Sequence, residues 1–302
     1  ICTLLYTLIV IGIVYKAYQH YLWATCSLDF SGKTIFISGG SSGIGEALTK
    51  RLIGLGAKKI IIAARRQEEL DRVKKECASP ERVQTFTLDL GSPEEVMKKC
   101  EKFFAGEEVD IVINNGGISM RECFEDIDFS VCTRMMNVNA LSHIAVCKAA
   151  LPGMISRKRG GHFCNILSIS GYMGAPLRSM YVSSKFALSG FGKVLRAETR
   201  QHGIDVTQVY PSYVQTNISK NALLGDGRAF GKTDPNIAKG MPVDKCVTQI
   251  LKSIKLGIAE MSVGGTGYKV IYHLGVYLPQ QFTDFLSDKV LKKQLQAKAK
   301  AS

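Results

Sequence analysis

Proline is scarce in this sequence, 8 residues in 302, and no stretch is dominated by a few residue types. Collagen-like, proline-rich and low-complexity chains are thereby excluded. Acidic residues are in deficit as well, 26 Asp+Glu against 39 Lys+Arg, for a formal charge of +13. That excess suits an anionic partner, whether lipid, nucleic acid or cofactor, without choosing among them. The nine cysteines contain no C-x-x-C pair, and His20, His143, His162, His202 and His273 show no paired metal spacing. Neither a disulfide framework nor a metal site is expected; the cysteines read as free thiols of a reducing compartment, most of them in the core. What the chain does have is apolar material, 46% of its residues against 22% charged, enough for a globular core.

Charge is missing altogether from Ile1 to Val14, and Tyr15, Lys16, Tyr18, Tyr21 and Trp23 follow as an aromatic and basic flank. Residues 1–23 therefore read as a membrane anchor, shortened because the chain opens on Ile rather than Met. Two alternatives stay open: a signal peptide cut near Ala24-Thr25-Cys26, and a buried apolar helix. Residues 24–32 would be a linker, 33–265 the catalytic domain, and 266–302 an aromatic, apolar segment with a basic tail. Lys16 and Lys33 favour a cytosolic domain. Lys298 and Lys300 resemble the dilysine signal of the endoplasmic reticulum, with a peroxisomal membrane and a merely solvated tail as the alternatives.

Thr34–Ser38 reads as a buried strand, and Gly39-Gly-Ser-Ser-Gly43-Ile-Gly45 leads into a helical stretch from Glu46 to Ile53. Glycines at such a turn let backbone N–H groups and the positive helix end approach a pyrophosphate. A second strand, Lys59–Ala63, completes a βαβ unit, and just beyond it stands Arg65 where an acidic residue would meet an unphosphorylated ribose. An arginine there suits a 2′-phosphate, so NADPH is expected over NADH; a plain surface arginine is the alternative.

With Asn114-Asn115-Gly116-Gly117, Ser168 and Tyr181-x-x-x-Lys185, that turn resembles the short-chain dehydrogenase/reductase superfamily over about residues 32–261. Arg178-Ser-Met-Tyr181, Gln215–Ser219 and the loop from Asp226 to Gly240 are similar to the group of family members 7 and 7B. The resemblance implies an α/β fold, a doubly wound Rossmann-type parallel sheet of about seven strands in one catalytic domain. It also implies cofactor contacts at Ser38, Gly39, Ser41, Ser42, Gly43, Ile44, Gly45, Arg65, Asp89, Asn115, Tyr181, Lys185, Pro211 and Thr216, and a catalytic tetrad of Asn139, Ser168, Tyr181 and Lys185. The sequence departs from the family's Asn-Asn-Ala-Gly at Gly116 and from its Pro-Gly turn at Ser212. Pairing of two copies through the helices bearing Asn139 and Tyr181 is a further implication.

Tyr181 and Lys185 are one helical turn apart and project together, so the ammonium is expected to lower the phenol from its ordinary value near ~10. The tyrosine would then give a proton to a carbonyl oxygen that Ser168 also holds. Ser170, two residues on, is the rival for that role, and Asn139 is expected to hold a water that links Lys185 to solvent. Residues 221–242 form a long aperiodic stretch expected to be a lid. The expected activity is NADPH-linked reduction of a lipophilic carbonyl compound: an acyl- or alkyl-dihydroxyacetone phosphate, a steroid or retinal. Nucleic acid is not an expected partner. The alternative is an NADPH-bound sensor or scaffold with vestigial turnover.

Overall fold

The structure, a computed structural model, describes residues 2–264 together with Asp288, Leu291 and Lys292. The aromatic C-terminal segment and the lysines of its tail, Lys298 and Lys300 included, lie outside the described residues.

Short β-branched runs form seven strands: β1 Thr34–Ser38, β2 Lys59–Ala64, β3 Val83–Thr87, β4 Ile111–Asn114, β5 Gly161–Ile166, β6 Ile204–Pro211 and β7 Glu260–Val263. All pair in parallel, in the order β3-β2-β1-β4-β5-β6-β7. Nine helices are described: α1 Cys2–Thr25, α2 Gly43–Gly54, α3 Gln67–Lys75, α4 Pro93–Phe104, α5 Phe129–Met136, α6 Ser142–Ser156, α7 Ser179–Thr199, α8 Pro235–Ala238 and α9 Val243–Lys255. The seven-stranded doubly wound sheet read in the sequence is the architecture found.

Side chains alternate across each strand, so both faces of the sheet need cover. Ile35, Ile37, Ile60 and Ile62 face one layer, where Leu48 and Leu52 of α2, Leu70 of α3, and Val247, Ile250 and Leu251 of α9 close over them. Phe36, Ile61, Val112, Phe163 and Val206 face the other, under Val96 of α4, Val146 of α6 and Leu195 of α7. The chain runs outward from β1 to β2 and β3, then returns to place β4 on the other side of β1. That reversal opens a crevice beyond the carboxyl ends of β1 and β4.

One helical run among the described residues, Phe129–Ser156, is long and apolar enough to cross a membrane, but more than half of it is buried inside the domain, as a core helix would be. A π-helical turn over Asn137–Leu141 interrupts it, in a stretch that reads as one regular helix in the sequence. At the amino end, α1 leaves Ile11, Val14, Tyr18 and Tyr21 exposed, so it is not packed as a core helix. Its last turn is tied to α9: Lys252 Nζ donates to Trp23 O at 2.7 Å and lies 5.4 Å from the centre of the Trp23 ring.

Candidate active site

A cleft of about 800 Å³ lies over the carboxyl ends of the strands. Its first wall is the glycine turn between β1 and α2. Gly39 has φ +67°, and a Cβ there would stand 2.6 Å from Gly116 Cα. A side chain on Gly45 would run into the Gly39 carbonyl. The turn is therefore closed to L-residues with side chains at both positions. Ser42 makes no side-chain cap to α2, so the first N–H groups of that helix are left without a side-chain partner where Ser41, Ser42, Gly43 and Ile44 line the cleft. This donor set, with the positive end of the helix, fits a pyrophosphate.

Asn115 holds the turn in place, its Nδ2 donating to Ser38 O and Gly39 O, both at 3.1 Å. Ser38 answers from below: its Oγ accepts from Asn115 N at 3.0 Å and Gly116 N at 3.1 Å. Ser38 is thus fully buried between β1 and β4 and off the cleft lining, a brace rather than a cofactor contact. Gly45 is off the lining too and serves the packing of α2 on the turn. Arg65 and Asp89 line the cleft at the ends of β2 and β3, where Asp89 Oδ1 accepts from Gly91 N at 2.9 Å. Arg72 also braces this wall. Its guanidinium donates to Ser41 O at 3.1 Å and pairs with Glu46, Glu69 and Glu76, a role that no sequence motif announces.

The floor carries the serine, tyrosine and lysine expected from the sequence. Ser168 stands two residues past β5, on the same cleft wall as Tyr181, and pulls that phenol downward. Ser170 is not on a strand; it sits in a short 3-10 turn and donates its backbone N–H to Ser168 Oγ at 3.1 Å. Both serines line the cleft, and Ser168 is the one that acts on the Tyr181 phenol. Tyr181 and Lys185 share one face of α7, with Nζ 5.9 Å from the ring centre. Lys185 is buried, donates to Ile166 O at 3.0 Å, and burial lowers it to about 8.

The tyrosine differs from expectation. Burial raises Tyr181, against downward pulls from the Ser168 hydrogen bond and the Arg178 charge. Desolvation of a phenol outweighs those pulls, and the counter-charge comes from Arg178 rather than from the desolvated Lys185.

Asn139 lies under the floor, fully buried in the π turn and off the cleft lining. Its Nδ2 donates to Ile118 O at 2.9 Å and Ser184 Oγ at 3.0 Å, and its Oδ1 accepts from Ile118 N at 2.9 Å. Gly117 separates this amide from Lys185: the position of a Cβ on Gly117 is 3.1 Å from Asn139 Oδ1 and 3.6 Å from Lys185 Nζ. At Gly116, the departure from the family pattern, Leu90 Cδ1 occupies the space an alanine methyl would need, 2.5 Å from that Cβ position. His143 backs this corner, its Nε2 2.6 Å from Gly116 O, and burial lowers it to about 4.

Pro211, Ser212 and Thr216 line the remaining side, and the stretch from Asn221 onward covers the far end. That stretch is tied down by Leu223 N to Ser119 O at 2.8 Å and by the β-bridge of Leu223 with Met120, and it carries the short helix α8. Arg121, Arg178 and Asp234 meet there as an ion-pair cluster. Arg178 stands in a quoted motif and Asp234 within the loop from Asp226 to Gly240, but Arg121 and Asp234 are 113 residues apart, and no local pattern joins them.

The family model for short chain dehydrogenase matches residues 33–225. A "Dehydrogenase/reductase SDR family protein 7-like" of Drosophila melanogaster is 37% identical over 270 residues, 86% of this chain and 81% of the relative. The fold is shared with a short chain dehydrogenase from Burkholderia cenocepacia in complex with NADP, at TM-score 0.68 and 22% identity over 87% of this chain and 99% of that one. It is shared also with a short chain dehydrogenase/reductase from Burkholderia phymatum in complex with NAD, at TM-score 0.71 and 17% identity over 82% and 94%.

Proposed function

Because the chain belongs to the short-chain dehydrogenase/reductase family and is therefore an NAD(P)-dependent oxidoreductase, we propose that it is a membrane-associated, NADPH-dependent carbonyl reductase acting on a hydrophobic or lipid substrate. The observation that carries the reductase chemistry is the convergence of Ser168, Tyr181 and Lys185 on the floor of the cleft, with Lys185 Nζ 5.9 Å from the Tyr181 ring centre. A bound nicotinamide cofactor supplies the hydride. Tyr181 donates the proton to the carbonyl oxygen as charge develops on it, and Ser168 donates a hydrogen bond to the same oxygen. Lys185 restores the Tyr181 proton. A water held between Asn139 and Lys185 would pass that proton in from solvent.

Arg65 at the end of β2 supports NADPH, since a guanidinium matches a 2′-phosphate and no carboxylate competes at that position. The exposed apolar and aromatic side chains of α1 support membrane association, with the domain in the cytosol and the endoplasmic reticulum or peroxisome as the membrane. Exposed Leu141, Phe186 and Val194, on the run that bears Asn139 and on α7, support pairing of two copies. Nucleic acid has no part in this reading.

The test is NADPH oxidation by the detergent-solubilised chain against a panel of acyl-dihydroxyacetone phosphate, retinal and 3-ketosteroids. One substrate should turn over, with Tyr181→Phe lowering kcat by roughly 10³-fold while NADPH still binds, and Arg65→Ala should erode the preference for NADPH over NADH by about tenfold. Tight cofactor binding without turnover on any carbonyl would overturn the reductase reading.

A further inference from the structure

Two arginines share one carboxylate at the substrate end of the cleft. Arg121 and Arg178 are only 12% and 13% exposed in their side chains, and both pair with Oδ2 of Asp234, itself 5% exposed, Arg178 at 3.3 Å. The Nε atom of each is buried without a partner. Both residues line the cleft that holds Tyr181, and the Arg178 charge is felt at that phenol.

The cluster is held from several sides. Arg121 N donates to Leu223 O at 2.9 Å, and the Phe230 ring lies 5.5 Å from its guanidinium carbon, covering one side of the group. Leu177, just before Arg178, holds φ +63°, a left-handed conformation costly for a residue with a Cβ, and its O accepts from Glu122 N at 3.0 Å. Such strain persists only where the surroundings enforce it.

Desolvation and the neighbouring Arg178 lower Arg121 against the upward pull of Asp234. The two guanidinium groups share Oδ2 of Asp234 and keep unused Nε donors, which an anion would complete by charge-assisted hydrogen bonds.

We infer that Arg121 and Arg178 form a subsite for an anionic head group, a phosphate or carboxylate, carried by the carbonyl substrate, with Asp234 holding the arginines until that group displaces it. The subsite deepens the carbonyl-reductase reading and rests on it only in calling the bound molecule a substrate. It narrows the substrate class from neutral lipophilic carbonyls to amphiphiles with a charged end.

The full chain in nonionic detergent is saturated with NADP+, so that the cofactor end is filled, and titrated calorimetrically with hexyl phosphate, hexanoate and hexan-1-ol. One of the two anions should bind at least tenfold more tightly than hexan-1-ol, and which one does so identifies the head group. Arg121→Gln and Arg178→Gln should each weaken that anion by at least tenfold and leave the alcohol unchanged. Asp234→Asn keeps an oxygen for its cap to Asn236 N, a 2.8 Å bond, and should tighten anion binding severalfold because it removes the internal competitor. Equal binding of alcohol and anions, or no binding of either anion, would overturn the subsite. So would a loss of anion binding in Asp234→Asn, since a mere latch for the covering loop predicts that. The heat of binding is independent of turnover, so a silent reductase assay leaves this result standing, and its failure leaves the reductase reading untouched.

Discussion

The half of the cleft suited to a dinucleotide is made from strand ends and consecutive residues, whereas the half facing the substrate is assembled from segments as far as 113 residues apart. In the first, Gly39 to Gly45 form one turn, and Asn115 and Ser38 lock it to the adjacent strand β4 through bonds of 3.0–3.1 Å. In the second, Arg121 comes from the loop after β4, Arg178 from the cap of α7, and Asp234 from the covering loop. Backbone packing defines the first half, so it tolerates little change in shape. Ion pairs define the second, so it tolerates a change of partner. One scaffold can thereby keep a fixed cofactor and vary what it reduces.

The largest effect that separates the halves should come from acid. His143 and His162 are buried, the first on the Gly116 carbonyl behind the dinucleotide half, the second on Thr207 Oγ1 at 2.8 Å, and burial lowers each to about 4. An unfolded histidine takes up its proton near ~6.5, so between that pH and about 4 the unfolded chain binds more protons than the folded one. Stability is therefore full above pH ~6.5 and is lost as the pH falls toward 4, by roughly 3 kcal/mol per histidine. Urea unfolding measured from pH 7.5 to 4.5 should show this slope, and His143→Gln, which keeps a donor for Gly116 O, should remove about half of it. An unchanged slope in that variant would mean that other groups, His162 or the carboxylates, set the acid limit.

Next in size is Gly45→Ala. Its methyl group would meet the Gly39 carbonyl and the Asn115 amide, and backbone cannot yield as a flexible side chain can. NADPH affinity should fall by about 100-fold, with the far-UV circular dichroism retained and binding of a substrate anion at the arginine cluster much less affected. Parallel loss of both would show that the two halves are one mechanical unit.

What could be read in the sequence follows the same division. The strands, the glycine turn and the Tyr181–Lys185 pair declare themselves within a few residues, because periodicity, turn chemistry and helical spacing are local. The placement of Ser38 as a brace, the π turn at Asn139 and the seat of Asp234 are decided by contacts between strands and loops that no window covers. Arg178 was visible as part of a motif, yet its effect on Tyr181 depends on burial. The expectation that Lys185 would be the main influence on the phenol came from spacing alone, and spacing carries no information about desolvation.

The smallest effect tests the point where the halves meet. Gly117 lies beside both the Asn139 amide and the Lys185 ammonium, its Cβ position 3.1 Å from Oδ1 and 3.6 Å from Nζ. A methyl group fits there with only a few tenths of an ångström of adjustment, so Gly117→Ala should fold and bind cofactor as before. It would, however, crowd the water proposed between those two groups, which needs about one probe sphere of polar space and two or more partners. Proton return to Tyr181 then slows while hydride transfer and binding do not, and kcat should fall by about tenfold with KM unchanged. The solvent deuterium isotope effect on kcat should rise in the variant, because proton delivery becomes rate-limiting. A fall in kcat without that rise would assign the loss to displaced Lys185 rather than to the relay.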